Sequence, residues 1–397
     1  MRLKTEKTFY SYMMKRRAVV FALSVIIIRF LWSSLDANPL LFIYDAYLTQ
    51  VSTISTPDTR RIFHSDTTSL EGKTVWITGS SSGIGAELAV QLSSAGVGHL
   101  ILSGRRVEKL ESTAKSCREA QMMRSAEQKI GISIVPFDIS GGSEVLDEAV
   151  TRALDAAPES GIDVLILNAG QYYCSPAIDS AAAVANLMQV NFAGNVHLAL
   201  KLMQRDRWMA KQRGHIVTIS SLVGRGSAPL NAVYSASKHA LRAYFLSLAA
   251  EEKSWLRVDM VLPGPVNTDL WNSSWKREND NTRHILHADD RSKMPVKRCA
   301  QLIISSMIGP SYLFFETWIS PNPGLLWVYL ASYEPLTFHF LTTYIIAPFR
   351  ISMWRKNGED SFSFTSILHY TLERFFDKIM GQSKSLPPTI SSHVSEI

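Results

Sequence analysis

Cysteine is scarce in this sequence, and its scarcity argues against two kinds of architecture. The 397 residues include only three cysteines, Cys117, Cys174 and Cys299, which stand far apart in the chain. They form no CxxC pair and no spacing typical of metal ligands. Because their number is odd and their separations are wide, a disulfide framework is not expected. We therefore interpret them as ordinary thiols and expect no metal centre.

The apolar run near the N-terminus is short for a transmembrane helix. Residues 18–28 are uncharged and mostly apolar, but Arg29 interrupts the run, and a helix needs about 20 residues to cross a bilayer. A short tilted span with Arg29 near one interface is one interpretation. A cleaved signal peptide is the alternative, although no small-x-small cleavage site follows the run. Whether the run spans a membrane or lies on its surface stays open.

Positive charge is unevenly distributed and lacks the pattern of a nucleic-acid-binding protein. The formal net charge is +6, and six basic residues fall within the first seventeen positions. A basic segment before an apolar run indicates a membrane as the partner. No basic stripe with interleaved aromatic residues occurs elsewhere, so no nucleic-acid partner is expected.

Short apolar stretches alternate with helical stretches from residue 73 onwards. Such alternation is typical of a parallel sheet with helices on both faces, so the predicted fold class is α/β with a doubly wound parallel sheet. The predicted strands are Thr74–Ile77, His99–Leu102, Ile132–Pro136, Asp163–Leu167, His215–Ile219, Val258–Leu262 and a late strand over Ser311–Ile319. The predicted helices include 86–92, 143–157, 182–211 and 232–254.

The segments on either side of this domain have a different composition. Residues 321–349 carry a single charge, Glu334, and Pro335 divides them into two short halves. We expect two helices that lie in a membrane surface, with packing on the domain as the alternative. The predicted organisation is a basic segment with a membrane anchor over 1–49, a linker over 50–70, the α/β domain over 71–320, an apolar aromatic extension over 321–356 and a polar tail over 357–397.

A glycine-rich turn joins the first strand to the first helix of the domain. It reads TGSSSGIG over residues 78–85. Gly79 permits a tight turn, Gly83 lets the backbone approach a pyrophosphate, and Gly85 allows close contact between helix and strand. The helix N-terminus then faces the negative charge. The predicted dinucleotide ligands in this turn are Thr78, Gly79, Ser81, Ser82, Gly83, Ile84 and Gly85.

The end of the second strand indicates which dinucleotide binds. An acidic residue there would bind the ribose hydroxyl of NAD, but the stretch from Ser103 to Arg106 has no carboxylate. An arginine can instead grip the 2′-phosphate of NADP. We therefore predict NADP(H) as the cofactor, with Arg105 as the better candidate. Arg106 is the second candidate and is alternatively only a surface charge, and an NAD-dependent enzyme is the alternative interpretation.

Two residues four positions apart in a predicted helix suggest acid–base chemistry. Tyr234 and Lys238 belong to the sequence YSASK, and their spacing puts them on one face of a helix. A phenol has a pKa of about 10, and a nearby ammonium is expected to lower it. Tyr234 can then exchange a proton with a carbonyl or alcohol oxygen. Ser221 follows the fifth strand, where such folds bind ligands, and can hold that oxygen.

Together these motifs resemble the short-chain dehydrogenase/reductase superfamily, over roughly residues 70–319. The resemblance is carried by TGSSSGIG, Leu167-Asn168-Ala169-Gly170, Asn191, Ser221, YSASK and Pro263-Gly264. It implies a Rossmann-type fold, in which Asn191 positions a water that relays protons towards Lys238. Leu167 stands where many members have asparagine, which leaves Asn168 in place. The further cofactor contacts implied are Asp138, Ile139, Asn168, Ala169, Gly170, Tyr234, Lys238, Pro263, Gly264, Val266 and Thr268.

The resemblance also implies a substrate class and a location. The apolar N-terminal run, the LSGRR strand end and the aromatic C-terminal stretch resemble the membrane-anchored steroid and retinoid branch. We expect an NADP-dependent enzyme that interconverts a carbonyl and an alcohol on a lipophilic substrate at the endoplasmic reticulum membrane, on a side that stays open, with a homodimer as the family's assembly. Trp271, in the family's lid segment, is the predicted substrate contact besides Ser221 and Tyr234. A catalytically silent membrane scaffold or nucleotide sensor is the alternative.

Overall fold

A seven-stranded parallel sheet forms the centre of the protein. The computed structural model describes residues 35–54, 70–124, 130–205, 208–270, 293–311, 315–321 and 324–357. The strands are β1 Thr74–Thr78, β2 His99–Ser103, β3 Gly131–Ile134, β4 Val164–Leu167, β5 Gly214–Ile219, β6 Leu256–Pro263 and β7 Glu316–Ile319. Their order is β3-β2-β1-β4-β5-β6-β7, and every neighbouring pair is parallel. The order reverses between β1 and β4, which places a crevice at the carboxyl ends of these two strands.

Helices cover both faces of the sheet, as the alternating pattern predicts. The helices are α1 Pro39–Ile54, α2 Gly83–Ala95, α3 Val107–Arg124, α4 Ser143–Ala156, α5 Ala181–Met188, α6 Gly194–Arg205, α7 Trp208–Lys211, α8 Ala232–Glu251, α9 Val296–Ile308, α10 Gly324–Tyr333, α11 Pro335–Phe340 and α12 Ala347–Asn357. β1, β4 and β5 are buried along their whole length, because a parallel sheet is covered on both sides.

Alternate residues of each strand enter one of two apolar cores. Trp76 and Ile216 point into the core beneath α4, α6 and α8, where Phe245 of α8 is fully buried. Ile77 and Val217, their neighbours along the same strands, point into the core beneath α2, α3 and α9. The period of two along a strand produces this division. The two cores hold the strand ends, and hence the crevice, in a rigid frame.

Two elements differ from the sequence-based prediction. The predicted helix 182–211 is interrupted by a π-helical turn over Gln189–Ala193, a feature that apolar periodicity alone does not reveal. The predicted late strand is wrong in its first part, because β7 begins at Glu316 rather than at Ser311. β7 pairs with β6 over Met260–Pro263.

The chain before the domain is attached to the edge of the sheet. Ala37 forms an antiparallel bridge with Ile319 of β7, and Leu41 of α1 is buried against the domain. Helix α1 continues through Ile54, beyond position 50, where the linker is predicted to begin. Residues 1–34 of the predicted anchor segment (1–49), residues 55–69 of the predicted linker and residues 358–397 of the predicted tail (357–397) lie outside the described residues. Within the part that is described, no helix is long and apolar enough to span a membrane.

The C-terminal extension folds back onto the domain. A side-chain carbon at Gly226, in the loop after β5, would lie 2.9 Å from Ala331 of α10. Val328 and Phe349 are buried, so packing on the domain, the alternative in the sequence analysis, describes the inner face of the extension. The outer face exposes the apolar side chains of Tyr329, Tyr333, Leu336, Phe340 and Tyr344. Its association with a membrane stays a prediction.

Candidate active site

The glycine-rich turn has backbone angles that suit glycine. Gly79 and Gly83 have φ values of 66° and 60°, in the left-handed region that disfavours other residues. A side-chain carbon at Gly79 would lie 2.9 Å from the Cα of Ala169, so a residue with a side chain does not fit at this position. The turn leads into α2, whose first N–H groups have no partner within the helix. The start of α2 therefore offers an anion-binding position to the crevice.

Asn168 connects this turn to the neighbouring strand. Its Nδ2 donates to the carbonyl oxygens of Thr78 and Gly79, both at 3.1 Å. The Thr78 hydroxyl in turn accepts from the backbone N–H groups of Asn168 and Ala169 at 3.0 and 3.1 Å. These reciprocal bonds hold the ends of β1 and β4 in one arrangement, which is the bracing role implied for Asn168.

The two arginines after β2 have different surroundings. Arg106, the second candidate in the sequence analysis, donates through Nη2 to the hydroxyls of Ser81 at 3.3 Å and Ser82 at 3.0 Å. Arg105 instead lies 3.6 Å from the carboxylate of Asp138, and its side chain is 67% exposed. Both arginines line the same cavity, but Arg106 is the one that contacts the glycine-rich turn.

Tyr234 is buried in the wall of the crevice. Its residue surface is 7% exposed, and burial raises the pKa of its hydroxyl to about 12, which a hydrogen bond with Ser221 partly offsets. The Ser221 hydroxyl also donates to the carbonyl of Pro263 at 3.3 Å. Ser221 therefore links the end of β6 to the Tyr234 phenol, the position expected of a residue that orients a substrate oxygen.

Lys238 follows Tyr234 one turn later in α8 and is also buried. Its Nζ donates to the carbonyl of Ile219 at 3.0 Å and lies 5.9 Å from the centre of the Tyr234 ring. Burial lowers the pKa of Lys238 to about 8. The pKa of Tyr234 is thus raised, not lowered as the sequence analysis expects, because burial is the largest effect on it. Stabilisation of the phenolate by the Lys238 ammonium stays a prediction.

Asn191 lies in the π-helical turn and is fully buried. Its Nδ2 donates to the carbonyl of Gln171 at 2.9 Å and to the hydroxyl of Ser237 at 3.0 Å, and its Oδ1 accepts from the Gln171 N–H at 2.7 Å. The side chain thus joins the end of β4 to α8. These bonds occupy both amide hydrogens of Asn191. A water positioned by Asn191 must therefore form its hydrogen bond with the main chain of Asn191 or with Oδ1.

A single cavity of about 600 Å³ connects these groups. Most of the predicted site residues line it, but Gly85 and Asn191 lie behind its wall, and Trp271 is outside the described residues. A carbon at Gly85 would meet the Gly79 carbonyl oxygen at 2.5 Å, so this glycine serves packing. The predicted residues in the lining are Thr78, Gly79, Ser81, Ser82, Gly83, Ile84, Arg105, Arg106, Asp138, Ile139, Asn168, Ala169, Gly170, Ser221, Tyr234, Lys238, Pro263, Gly264, Val266 and Thr268.

The lining also contains residues that sequence reasoning missed. Tyr172 packs its ring against that of Tyr234, with centroids 5.0 Å apart, and Asn231 lies one helical turn before Tyr234. The only indication of Asn231 or Tyr172 in the sequence is that Asn231 lies three residues before Tyr234. Trp327 and Arg350 come from the C-terminal extension, and nothing in their local sequence indicates that they reach the crevice.

Comparison with protein families decides the classification. A family model described as short chain dehydrogenase matches residues 73–279, a span that contains the glycine-rich turn, Ser221, Tyr234 and Lys238. The chain belongs to the short-chain dehydrogenase family. The resemblance stated from the motifs is thereby confirmed.

Two relatives within this family support a finer resemblance. The chain is 38% identical over 267 residues to dehydrogenase/reductase SDR family member 7 of Homo sapiens, and 36% identical over 266 residues to that of Mus musculus. Each match covers 66% of this chain and 74% of the relative. The LSGRR strand end and the YSASK helix likewise predict member 7 as the most similar type, and these matches confirm that prediction.

Solved structures of other short-chain dehydrogenases share the fold. An alcohol dehydrogenase from Thermococcus sibiricus complexed with 5-hydroxy-NADP matches with a TM-score of 0.52 and 21% identity, over 63% of this chain and 97% of that one. A short-chain dehydrogenase from Burkholderia cenocepacia in complex with NADP matches with a TM-score of 0.52 and 20% identity, over 70% of this chain and 99% of that one. At these identities the likeness concerns the Rossmann-type architecture alone.

Proposed function

We propose that the protein is an NADP(H)-dependent oxidoreductase that interconverts a carbonyl and an alcohol on a lipophilic substrate such as a steroid or retinoid. The observation that carries the proposal is the meeting of Ser221, Tyr234 and Lys238 with the glycine-rich turn in one cavity. A catalytically silent scaffold would not require this complete set. The cavity volume of about 600 Å³ lies within the range of small-molecule sites.

The residues at the crevice suit a dinucleotide. The glycine-rich turn packs closely on the end of β4, where a side-chain carbon at Gly79 would lie 2.9 Å from the Cα of Ala169, and the start of α2 favours the negative charge of a pyrophosphate. Arg106, held by the hydroxyls of Ser81 and Ser82, would pair with a 2′-phosphate. The two similar structures contain 5-hydroxy-NADP and NADP, which supports the same choice. When bound, the nicotinamide supplies or accepts the hydride.

The side chains of Ser221, Tyr234 and Lys238 provide the proton and orient the substrate carbonyl. In the direction of reduction, Ser221 donates a hydrogen bond to the substrate carbonyl oxygen, and Tyr234 gives its hydroxyl proton to that oxygen as the hydride reaches the carbon. The raised pKa of Tyr234 keeps the phenol protonated and ready to donate. Lys238, buried one turn away, stabilises the phenolate that remains. In the direction of oxidation each transfer is reversed.

A turnover assay with a Tyr234→Phe variant tests the proposal. Purified full-length protein is supplied with NADPH or NADH and with steroid, retinoid or quinone carbonyls, and the absorbance of the reduced cofactor is followed. Loss of the proton donor is expected to lower kcat by about 100-fold or more, because Phe keeps the ring packing but not the hydroxyl. Turnover that is unchanged in the variant would assign the proton transfer elsewhere, and no turnover with any carbonyl would favour the silent scaffold.

We also propose that the protein is attached to a membrane through its terminal segments. The support is the exposed aromatic surface on α10–α12, where Leu336 is 85% and Tyr344 66% exposed, since aromatic rings favour the membrane interface. Co-sedimentation with phosphatidylcholine vesicles tests this. A Leu336→Glu, Tyr344→Glu double variant should bind vesicles more weakly than the wild type, whereas equal binding would limit attachment to the N-terminal segment. Fractionation of cells tests whether the protein is located at the endoplasmic reticulum.

A further inference from the structure

A buried arginine of the C-terminal extension lies in the wall of the cavity. Arg350 belongs to α12, and only 4% of its residue surface is exposed. Arg350 and Ile346, one helical turn earlier, both line the cavity, and residues four apart lie on one face of a helix. This face of the extension therefore borders the crevice, and it contributes a charged side chain.

The backbone before α12 departs from a regular α-helix. A π-helical turn over Leu341–Ile346 precedes the helix, and such turns occur frequently at functional sites. One extra residue changes by about 100° the face that the following helix presents to its surroundings. Phe349, directly before Arg350, is buried and holds α12 against the domain. The turn and this packing together determine that the face with Arg350 borders the cavity.

Arg350 lies at the end of the cavity where Tyr234 is found. Its neighbour Ile351 packs against a cluster of buried residues that contains Tyr234, and consecutive Cα atoms are about 3.8 Å apart. The two arginines assigned to the cofactor, Arg105 and Arg106, instead follow β2 beside the glycine-rich turn. The cavity therefore has a further cationic position, for which the dinucleotide site does not account.

The charges and the apolar groups around the cavity suit an anionic, lipophilic ligand. Among the lining residues that the structure describes, Asp138 is the only carboxylate, and it lies 3.6 Å from Arg105. A positive charge in apolar surroundings is stabilised by an opposite charge. Because a guanidinium has five N–H donors, Arg350 can bind an anion in addition to a protein partner. The apolar residues that line the same cavity include Leu222, Val223, Leu270, Trp327 and Ile346.

We propose that Arg350 binds a carboxylate of the substrate. A guanidinium donates two parallel N–H bonds to a carboxylate, a planar match that a lysine does not make. Since apolar side chains form much of the lining, the substrate class is a lipophilic keto acid. Its carbonyl carbon receives the hydride of NADPH and its oxygen receives the Tyr234 proton, which solvent then replaces. The products are a hydroxy acid and NADP⁺, and the carboxylate is unchanged. This inference rests on the proposed function and specifies its substrate.

Matched keto acids and esters test the inference with the full-length enzyme and NADPH. The probes are 3-benzoylpropionate and 5-benzoylpentanoate, which differ in the distance between carbonyl and carboxylate, and the methyl ester of each, which lacks the charge. Arg350→Met removes the guanidinium but keeps an unbranched side chain. Relative to the wild type, kcat/KM for at least one acid is expected to fall at least tenfold more than kcat/KM for its ester, mainly through KM. Equal changes for acid and ester at both lengths would overturn the proposal.

Further variants separate anion binding from a general structural effect. Arg213→Met makes the same change on an exposed side chain and should leave the ratio of kcat/KM for acid and ester unchanged. Arg350→Lys keeps the positive charge but loses the planar pair of donors, so the activity of this variant with the acid should lie between those of the wild type and Arg350→Met. If Arg350→Met does not fold, Arg350→Lys decides alone. A larger rise in KM for the acid than for its ester then supports the inference, and equal changes overturn it.

A binding measurement keeps the inference testable without turnover. Thermal unfolding of the NADP⁺ complex is followed with each probe at increasing concentration. At least one acid should raise the Tm of the wild type more than its ester does, and Arg350→Met should abolish that difference. If these shifts are found but no ketone is reduced, the proposed reaction is wrong and the Arg350 site stands. If each acid and its ester shift the Tm equally while the esters are reduced, the reaction stands and the Arg350 site is excluded.

Discussion

At the scale of single residues, the site depends on charges that the fold places in unusual surroundings. Lys238 is buried beside the crevice and bonds to a main-chain carbonyl, while Arg106 is held over the glycine-rich turn by two serine hydroxyls. Neither environment can be deduced from residue type, because the pKa and the reach of a charged side chain depend on what surrounds it. Each residue yields a separate prediction.

Arg106 should contribute more to NADP binding than Arg105. The Arg106→Ala variant is expected to weaken NADP⁺ affinity by about 10- to 100-fold, the range for a lost charge-assisted hydrogen bond, and to change NAD⁺ affinity much less. Arg105→Ala is the matched control, since Arg105 is already paired with Asp138 and largely exposed. Isothermal titration calorimetry with both dinucleotides measures this. A larger effect of Arg105→Ala would restore the order expected from the sequence.

Lys238 should make stability depend on pH above neutrality. Its pKa is lowered from 10.5 to about 8 by burial, so between these values the unfolded chain binds a proton that the folded chain does not. The free energy of unfolding must then rise with pH, by about 2 kcal/mol between pH 8 and pH 9.5. Urea unfolding of wild type and Lys238→Met at both pH values should show a rise that only the wild type has. Parallel changes in the two proteins would contradict it.

At the scale of elements, one buried carboxylate connects the parts that enclose the substrate end of the crevice. Glu316, at the start of β7, accepts from Arg225 at 2.8 Å and from Arg242 at 2.6 Å. Arg225 belongs to the loop after Ser221 and also donates to Ser332 of α10, and Arg242 lies on α8. The loop after Ser221, α8 and α10 are therefore connected through the single negative charge of Glu316. The relative position of these three elements depends on that carboxylate.

Replacing Glu316 should loosen this wall. Glu316→Gln leaves two arginines without their charge partner, and the free energy of unfolding is expected to fall by roughly 2 kcal/mol, below the range for fully buried pairs because both arginines are partly exposed. KM for the carbonyl substrate should rise while NADPH affinity changes little, because the turn that binds the cofactor is at the other end. Urea unfolding and steady-state kinetics measure both effects. The exposed Glu119→Gln is the control.

At the scale of the whole molecule, the chain before the domain is part of the folded unit. Arg298 of α9 pairs with Asp36 at 2.6 Å and with Asp45 of α1, and the hydroxyl of Ser305 donates to Asp45 at 2.6 Å. The backbone carbonyl of Asp36 also accepts from the N–H of Ser320, which lines the cavity. A membrane anchor at the N-terminus would thus be joined to the domain by a fixed connection.

Breaking that connection should affect stability at a distance from the crevice. Asp45→Asn is expected to lower the free energy of unfolding by roughly 1–2 kcal/mol, below the range for fully buried pairs, because Arg298 is partly exposed and keeps its pair with Asp36. It should also speed proteolysis within α1, with little change in kcat. Asp179→Asn, on an exposed side chain, is the control. Equal stability of Asp45→Asn and wild type would show that α1 is held by apolar contacts alone.

Much of the architecture follows from local sequence, for a physical reason. Apolar strands such as Val164–Leu167 are recognisable because a strand covered on both faces must be apolar throughout. The glycine-rich turn and the Tyr234–Lys238 pair are recognisable because their chemistry depends on short spacings, which any helix or turn preserves. The strands and the family could therefore be predicted before the structure was known.

Other properties of the site depend on contacts between distant segments and could not be predicted from local sequence. The raised pKa of Tyr234, the engagement of Arg106 with the turn, and the hydrogen bond from Tyr172 to Asn231 all arise where chain segments meet. The C-terminal helices contribute Trp327 to the cavity only because α10 packs on the loop after β5. Burial and side-chain partners are properties of the folded state, so they cannot be predicted from the spacing of residues along the chain. Local sequence therefore specifies the type of chemistry, whereas packing sets the electrostatic environment and the shape of the cavity.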